Sequence, residues 1–363
     1  MADERLIEIF LALAKLDGVS GHEKPVADYI LAFLKGLGLS SLVDDAASVT
    51  GSDTGNVVCR VGGGGDRVLL AHMDTARPTK DTKAVVSSDR ISSDGKSQLG
   101  ADNRAGIAVI LFATEKAVRE KLPVKPFTLA FTTQEETSMG GSINLKLEPS
   151  VTQGFIFDSS LDPGSFAVTS PGAASFKAEV FGKPSHAGIA PEKGVCAITI
   201  AAKALAGLRF GRLDPETTAN VGKIHGGEAT NVVPAHAVVE GEARSLDMDK
   251  VAPIVEGIRR GFEDSARRSG GQLKFSWVWE FKPFRIADGA PVFQEALRAV
   301  RKAGLTPSPM ASHGGSDANN LNARGVAAVN FGIGARNPHA DDEYILLEHL
   351  QKAADIALSL MRA

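Results

Sequence analysis

Val68-Leu69-Leu70-Ala71-His72-Met73-Asp74-Thr75 is an apolar run that stops at a histidine, with an aspartate two residues further on. Four apolar or small residues in a row read as a strand buried on both faces, the kind found in parallel sheets. At period 2, His72 and Asp74 fall on one side of an extended chain. A carboxylate beside a histidine can hold its second ring nitrogen and fix the tautomer for metal binding. The same grammar recurs three times. Phe127-Thr128-Leu129-Ala130-Phe131-Thr132-Thr133 leads into Gln134-Glu135-Glu136, and Gly154-Phe155-Ile156-Phe157 leads into Asp158-Ser159-Ser160. Val326-Ala327-Ala328-Val329-Asn330-Phe331-Gly332 leads through a short Gly-rich loop to Asn337-Pro338-His339-Ala340-Asp341-Asp342-Glu343. In open α/β sheets, ligands collect outside the carboxyl ends of the strands. Four such ends here carry His, Asp or Glu.

The 363 residues are 43% hydrophobic and 23% charged, enough for a large core and two domains. A formal charge of −3 gives no case for nucleic acid or an anionic membrane as partner. Cys59 and Cys196 make no disulfide framework, so a reducing compartment is the default and a cytoplasmic location is expected. The acidic start Met1-Ala2-Asp3-Glu4-Arg5 does not read as a signal peptide. No apolar run reaches the length of a membrane span.

Residues 4–17 place Leu6, Phe10, Leu13 and Leu16 at helical spacing, and a second helix carries Val26, Tyr29, Ile30, Phe33 and Leu34. Short strands are expected near 40–50 and 56–61. Gly62-Gly63-Gly64-Gly65 reads as a flexible hairpin turn into the His72 strand; it lacks the Lys-Ser/Thr ending of a phosphate loop. Residues 80–97 read as a polar surface hairpin turning at Ser93-Asp94-Gly95. Asp102 sits where the N-cap of a helix carrying Ile107, Ile110, Leu111, Thr114 and Val118 belongs. From about 171 the texture changes. A strand at 175–181, an Ala-rich helix at 195–208, strands at 219–224 and 237–244, a charged helix at 250–269 and a strand at 273–280 give the β-α-β-β-α-β order of a ferredoxin-like unit. The first pattern then resumes, with a helix at 291–303, a strand at 326–333 and a closing helix at 346–362. The fold class is therefore α/β, with residues 1–170 and 284–363 as one domain and 171–283 inserted into it.

His72-x-Asp74, Gly100-Ala101-Asp102-Asn103, Glu135-Glu136, Asp158 and the late His339 resemble the two-metal peptidase and deacylase family that includes peptidase T, carboxypeptidase G and the aminoacylases. So do Gly182-Lys183-Pro184-Ser185-His186-Ala187-Gly188, the stretch Gly226–Pro234, Gly241-Glu242-Ala243-Arg244 and Gly314-Gly315-Ser316-Asp317-Ala318-Asn319. The likeness runs in order over nearly the whole chain and is greatest to the peptidase T-like branch. It implies a zinc-exopeptidase-type catalytic domain, with a mixed, mostly parallel sheet flanked by helices, and an inserted lid and dimerisation domain hinged near 170 and 284. It implies two Zn²⁺, for which Co²⁺ or Mn²⁺ could substitute, bridged by Asp102. His72 and Asp158 complete one site, and Glu136 and His339 the other. Such a mixed set of imidazoles and carboxylates suits zinc, cobalt or manganese better than calcium or magnesium.

Asp74 is then the partner of His72, and Glu135 the general base that takes a proton from the attacking water and returns it to the leaving amine. His186 is the donor to the tetrahedral oxyanion, from the same chain or from a homodimer partner. Asn231, Arg244, Gly315, Ser316 and His313 fall to substrate binding, a guanidinium suiting a carboxylate because it can hold both oxygens. His313 stands where peptidase T itself has an arginine, which bears on strict tripeptide specificity. The resemblance also implies a cis peptide between Asp102 and Asn103. The activity expected is a metal-dependent exopeptidase on small peptides, an aminotripeptidase. The alternatives are a deacylase of N-acyl amino acids, a carboxypeptidase, or a non-catalytic peptide-binding protein on the same scaffold.

Overall fold

The computed structural model describes residues 2–312 and 314–362. They form two compact units: 2–169, Arg285–Ser312 and 316–362 make the first, and Ser170–Phe284 with Gly314 and Gly315 the second.

The first unit is built on a mixed sheet. Its central order is Phe127–Thr132, Arg67–His72, Gln153–Ser159, Ala327–Gly332, all mutually parallel. These are the four apolar runs that lead into His72, Glu135-Glu136, Asp158 and the His339 loop. Being parallel, they bring their carboxyl ends to one edge. Antiparallel strands flank them: Val57–Val61 and Ser41–Val43 on one side, Ser165–Ser170 on the other. Every residue of Phe127–Thr132 and of Arg67–His72 is buried, which is why these runs are continuously apolar rather than alternating. Phe155, Phe157, Phe166 and Phe331 fill the layer above the sheet, with ring centroids 5.3–6.3 Å apart, a separation suited to offset aromatic packing.

The Ala101–Arg119 helix lies on the Arg67–His72 strand and is covered by Glu4–Ala14 and Leu347–Met361. Buried nearly all round, it shows little amphipathic contrast. Gly106 permits this depth: a Cβ there would lie 2.1 Å from the carbonyl oxygen of Phe157.

The second unit is a five-stranded antiparallel sheet in the order Gly211–Asp214, Thr217–Gly226, His236–Ser245, Gly172–Phe181, Gln272–Phe281. Alternate residues Ala174, Phe176, Ala178 and Val180 pack on Ile200, Ala201, Val255, Ile258 and Phe262 of the helices Ala197–Ala206 and Met248–Ser269. This is the ferredoxin-like arrangement with an extra edge strand, Gly211–Asp214, too short and polar to stand out in the sequence.

Three local expectations are corrected. The glycine run 62–65 is not a hairpin turn, because Val57–Val61 and Arg67–His72 do not pair; Phe127–Thr132 lies between them. The run is a crossover over the start of that middle strand, and a Cβ on Gly65 would lie 2.0 Å from the carbonyl oxygen of Pro126. The strand expected near 40–50 ends at Val43, and Ala47–Thr50 is a helical turn. The Asp44 carboxylate accepts from the N–H of Ala46 (3.0 Å) and of Asn56 (2.9 Å), and Gly51 closes the turn at φ 72°. In 80–97 the hairpin joins Val85–Val86 to Arg90–Ser92, so its turn precedes Ser93, and Arg90–Ser92 also pairs with Tyr344–Leu346. Among the described residues no helix is long and apolar enough to cross a membrane.

Candidate metal centre

At the carboxyl edge of the parallel strands, five side chains of the first unit converge. His72, Asp102 and Asp158 offer one ligand atom each within 4.8 Å of one another, and so do Asp102, Glu136 and His339. His72 Nε2 lies 3.2 Å from Asp102 Oδ1 and 3.1 Å from Asp158 Oδ1. His339 Nε2 lies 2.8 Å from Glu136 Oε1 and 3.5 Å from Asp102 Oδ2. Two ligands each about 2.1 Å from a tetrahedral zinc would stand about 3.4 Å apart, so these separations fit. Asp102 faces both groups, one carboxylate oxygen to each.

The ring of His72 is held from behind. Its Nδ1 is 3.1 Å from the carbonyl oxygen of Asp74 and 3.2 Å from Asp74 Oδ1. Acceptors on that side put the proton on Nδ1 and turn the Nε2 lone pair toward two carboxylates, an arrangement that calls for a cation between them. Asp74 does more than hold the histidine. Its two oxygens also accept from Ser20 Oγ (2.6 Å) and from the backbone N–H groups of Glu135 and Glu136 (3.0 Å each). One buried carboxylate thus fixes the imidazole and the Glu135-Glu136 turn together. Gln134, at φ 55°, begins that turn, and its N–H donates to the buried Glu23 (2.9 Å).

The electrostatics agree with the donor chemistry. Burial works against an imidazolium at His72, yet Asp158, Asp102 and Asp74 outweigh it and raise its pKa. Hydrogen bonds to Asp102 and Glu136 lift His339 to about 10. Burial, with Asp158 beside it, pushes Glu135 well above the carboxylate range. Burial likewise raises Glu136 and Asp158. Burial also opposes ionisation of Asp102, but its bonds to both histidines prevail and hold it low. The donor set by itself demands positive charge, and the residues present fit divalent cations.

Asp102 is not the N-cap. Gly100 precedes the helix, Asp102 and Asn103 have non-helical dihedrals, and the peptide between them is cis, as the resemblance implies. Asn103 Oδ1 accepts from the N–H of Gly106 (3.1 Å). The amide therefore does the capping and leaves the Asp102 carboxylate to the centre.

Several contributors carried no role in the sequence reading. Asn330 Nδ2 donates to Asp158 Oδ2 at 3.4 Å. Arg104, wholly buried, donates to the carbonyl oxygen of Met73; burial lowers its pKa to about 10 against the pull of Asp74, Asp17, Glu23 and Glu343. Asp317, buried, accepts from Thr132 Oγ1 at 2.5 Å, and burial raises it to about 6. That shift has a sign. An acid whose folded pKa exceeds its unfolded value stabilises less as pH rises between the two. In chelator-treated protein, the share due to Asp317 is lost from about pH 4 to 6 and amounts to on the order of 3 kcal/mol. Asp317→Asn removes that part of the slope, as urea unfolding at pH 4.5 and 7 will show.

The substrate residues expected from the resemblance are distributed as follows. In the second unit, His186 is exposed, and its Nδ1 accepts from the N–H groups of Gly188 and Ile189 (3.2 Å each), which leaves the proton on Nε2. Asn231 is next to it, its carbonyl accepting from the N–H of Ala187 at 2.9 Å. Arg244 is forked onto Glu242, with Nε and Nη2 each donating at 2.9 Å. Gly315 lies against the ring of Phe281, where a Cβ would come within 2.4 Å. In the first unit, Ser316 forms a capping box with Asn319 at the start of Asp317–Ala323, a structural duty. His313 lies outside the described residues.

Comparison with known proteins places this geometry. Residues 168–269 match the family described as peptidase dimerisation domain, of the M20 class. The chain is 33% identical to the uncharacterized protein YqjE of Bacillus subtilis, over 99% of this chain and 98% of that one. It is similar to the crystal structure of the aminopeptidase PepT from Bacillus cereus, with 35% identity, a TM-score of 0.91 and coverage of 99% and 98%. It is also similar to that of a tripeptidase from Staphylococcus aureus, with 32% identity, a TM-score of 0.94 and coverage of 100% and 98%. With two His-carboxylate groups sharing one aspartate at the sheet edge, and relatives matched end to end, the chain belongs to the M20 family of metal-dependent peptidases.

Proposed function

We propose that the chain is a two-zinc aminotripeptidase of cytoplasmic peptide breakdown, working as a homodimer. The observation that carries the chemistry is Glu135. It is held by its own backbone on Asp74, one residue from Glu136 and beside the two donor groups that share Asp102. His72, Asp102 and Asp158 would hold one ion, and Asp102, Glu136 and His339 the other; bound there, the ions supply Lewis acidity to the scissile carbonyl and to water. The Glu135 carboxylate takes a proton from the attacking water and delivers it to the nitrogen of the leaving peptide. In this reading His186, of this chain or of the second subunit, supplies an Nε2–H to the oxygen that gains negative charge at the attacked carbon. Asn231 and the remaining N–H groups of Arg244 bind the peptide's polar ends. Glu242, on the same strand, holds Arg244 through Nε and Nη2 and leaves its other N–H groups for the peptide. The names of the similar solved structures, an aminopeptidase and a tripeptidase, support the substrate class.

The test is hydrolysis of matched di-, tri- and tetrapeptides, their N-acetyl forms and an N-acyl amino acid, by zinc-, cobalt- and chelator-treated protein. The expected result is metal-dependent release of the N-terminal residue from the tripeptide, with acetylation costing at least about 10²-fold in kcat/KM. Preference for the acylated compounds would overturn the aminopeptidase reading in favour of a deacylase.

A further inference from the structure

Glu343 is four residues beyond His339 in the same loop, and its side chain is fully buried. One oxygen accepts from the N–H of Gly100 at 2.7 Å and the other from the N–H of Asp102 at 2.9 Å. Its own N–H donates to Ala340 (3.3 Å), and its carbonyl accepts from Ser93 (2.9 Å). The carboxylate thus stitches the loop that carries His339 to the segment that carries Asp102, two members of one donor group. The His339 loop needs such a tether. His339 and Asn337 both have positive φ, 66° and 52°, a region that a histidine seldom adopts. At the other end, the loop is held by Arg77, which donates to the carbonyl oxygen of His339 (2.9 Å) and pairs with Asp341 (2.8 Å) at an exposed position.

We infer that Glu343 is a positioning residue for the Asp102–Glu136–His339 group, setting the distance between the Asp102 and His339 donors without being a ligand itself. This rests on the two-ion reading above. His72 and Asp158 reach the centre from strands that Glu343 does not touch, and their group shares only Asp102 with the other, so removing Glu343 weakens the ion of Asp102, Glu136 and His339 more than that of His72, Asp102 and Asp158. Glutamine is a poor substitute despite its shape: one of its two terminal atoms becomes an NH₂ facing a backbone N–H, which leaves two donors opposed in a buried site.

The experiment titrates the metal-free full-length protein with Co²⁺, following the visible d–d absorbance and the heat of binding, for wild type and Glu343→Gln. The wild type is expected to take up two equivalents. E343Q is expected to keep the first within about threefold and to bind the second about 10–100-fold more weakly, with the second spectral increment shifted in shape. E343D, which keeps both oxygens on a stem too short to reach both N–H groups, is expected to lose about tenfold in the second equivalent, and it decides the matter if E343Q does not fold. A folded variant that binds the second equivalent as the wild type does, or that loses both equivalents alike, overturns the inference. A wild type that takes up a single equivalent overturns the two-ion reading and the inference with it.

Discussion

Glu135→Ala is expected to lower kcat by about 10⁴-fold, the upper end of what a positioned general base contributes, while the protein retains its full complement of metal by elemental analysis. The two halves of that result separate Glu135 from its neighbour. Glu136 belongs to a group of donor atoms within 4.8 Å of one another, and Glu135 does not. Adjacent residues on a turn point their side chains differently, and here the direction of each is set by the Asp74 carboxylate, which receives both backbone N–H groups. Removing the Glu135 side chain leaves those two hydrogen bonds intact, so the turn and Glu136 stay in place. Loss of metal from E135A would transfer Glu135 to the ligand set; unchanged kcat would remove it from the chemistry.

The second large effect is a contrast between Asp102→Ala and His339→Ala. Asp102 faces both donor groups, and His339 only one. D102A is expected to fall from about two equivalents of zinc to less than about one and to show no measurable turnover, because each group is left with two donors and a bridging charge is lost. H339A, altered at the most exposed of the donors, is expected to keep about one tightly held equivalent on His72, Asp102 and Asp158. Equal metal loss in the two variants would show that the groups do not act separately. Elemental analysis after gel filtration, with turnover of the tripeptide on the same samples, reads both quantities.

What could be read from the chain follows a physical division. Each parallel central strand is buried on both faces, so its composition is decided locally and shows as an unbroken apolar run; the residue that ends the run is then marked by contrast. That made His72, Asp158 and the Glu135-Glu136 pair visible, and the recurring motifs added Asp102 and His339. Roles set by contacts between distant segments left no such mark. Asp341-Asp342-Glu343 reads as a solvated acidic run, and nothing in the spacing says that the third carboxylate turns inward to two N–H groups some 240 residues away in the chain. Asp102 and Asn103 are both good caps, and only the backbone path decides which one caps and which is released to the site. The four glycines at 62–65 suit a tight turn or a crossover equally well. The choice belongs to Phe127–Thr132, which slots between the strands they join. Asp317 stood in a motif quoted for its resemblance, but its bond from Thr132 depends on the strand Phe127–Thr132, some 185 residues away in the chain, which the sequence does not show to be near it.

The second compact unit interrupts the first between Asp158 and His339, and that interruption has a meaning in time. A chain made from its N-terminus completes His72, Asp102, Glu136 and Asp158 before any of the insert exists. His339, together with the strand Ala327–Gly332 that flanks Gln153–Ser159, emerges only after the insert has been synthesised. At about 5–20 residues per second, the nascent protein spends about 10–40 s with one donor group complete in sequence and the other lacking its histidine. The order of translation therefore sets the order in which the donors become available: His72, Asp102 and Asp158 are all in the nascent chain before His339 is made.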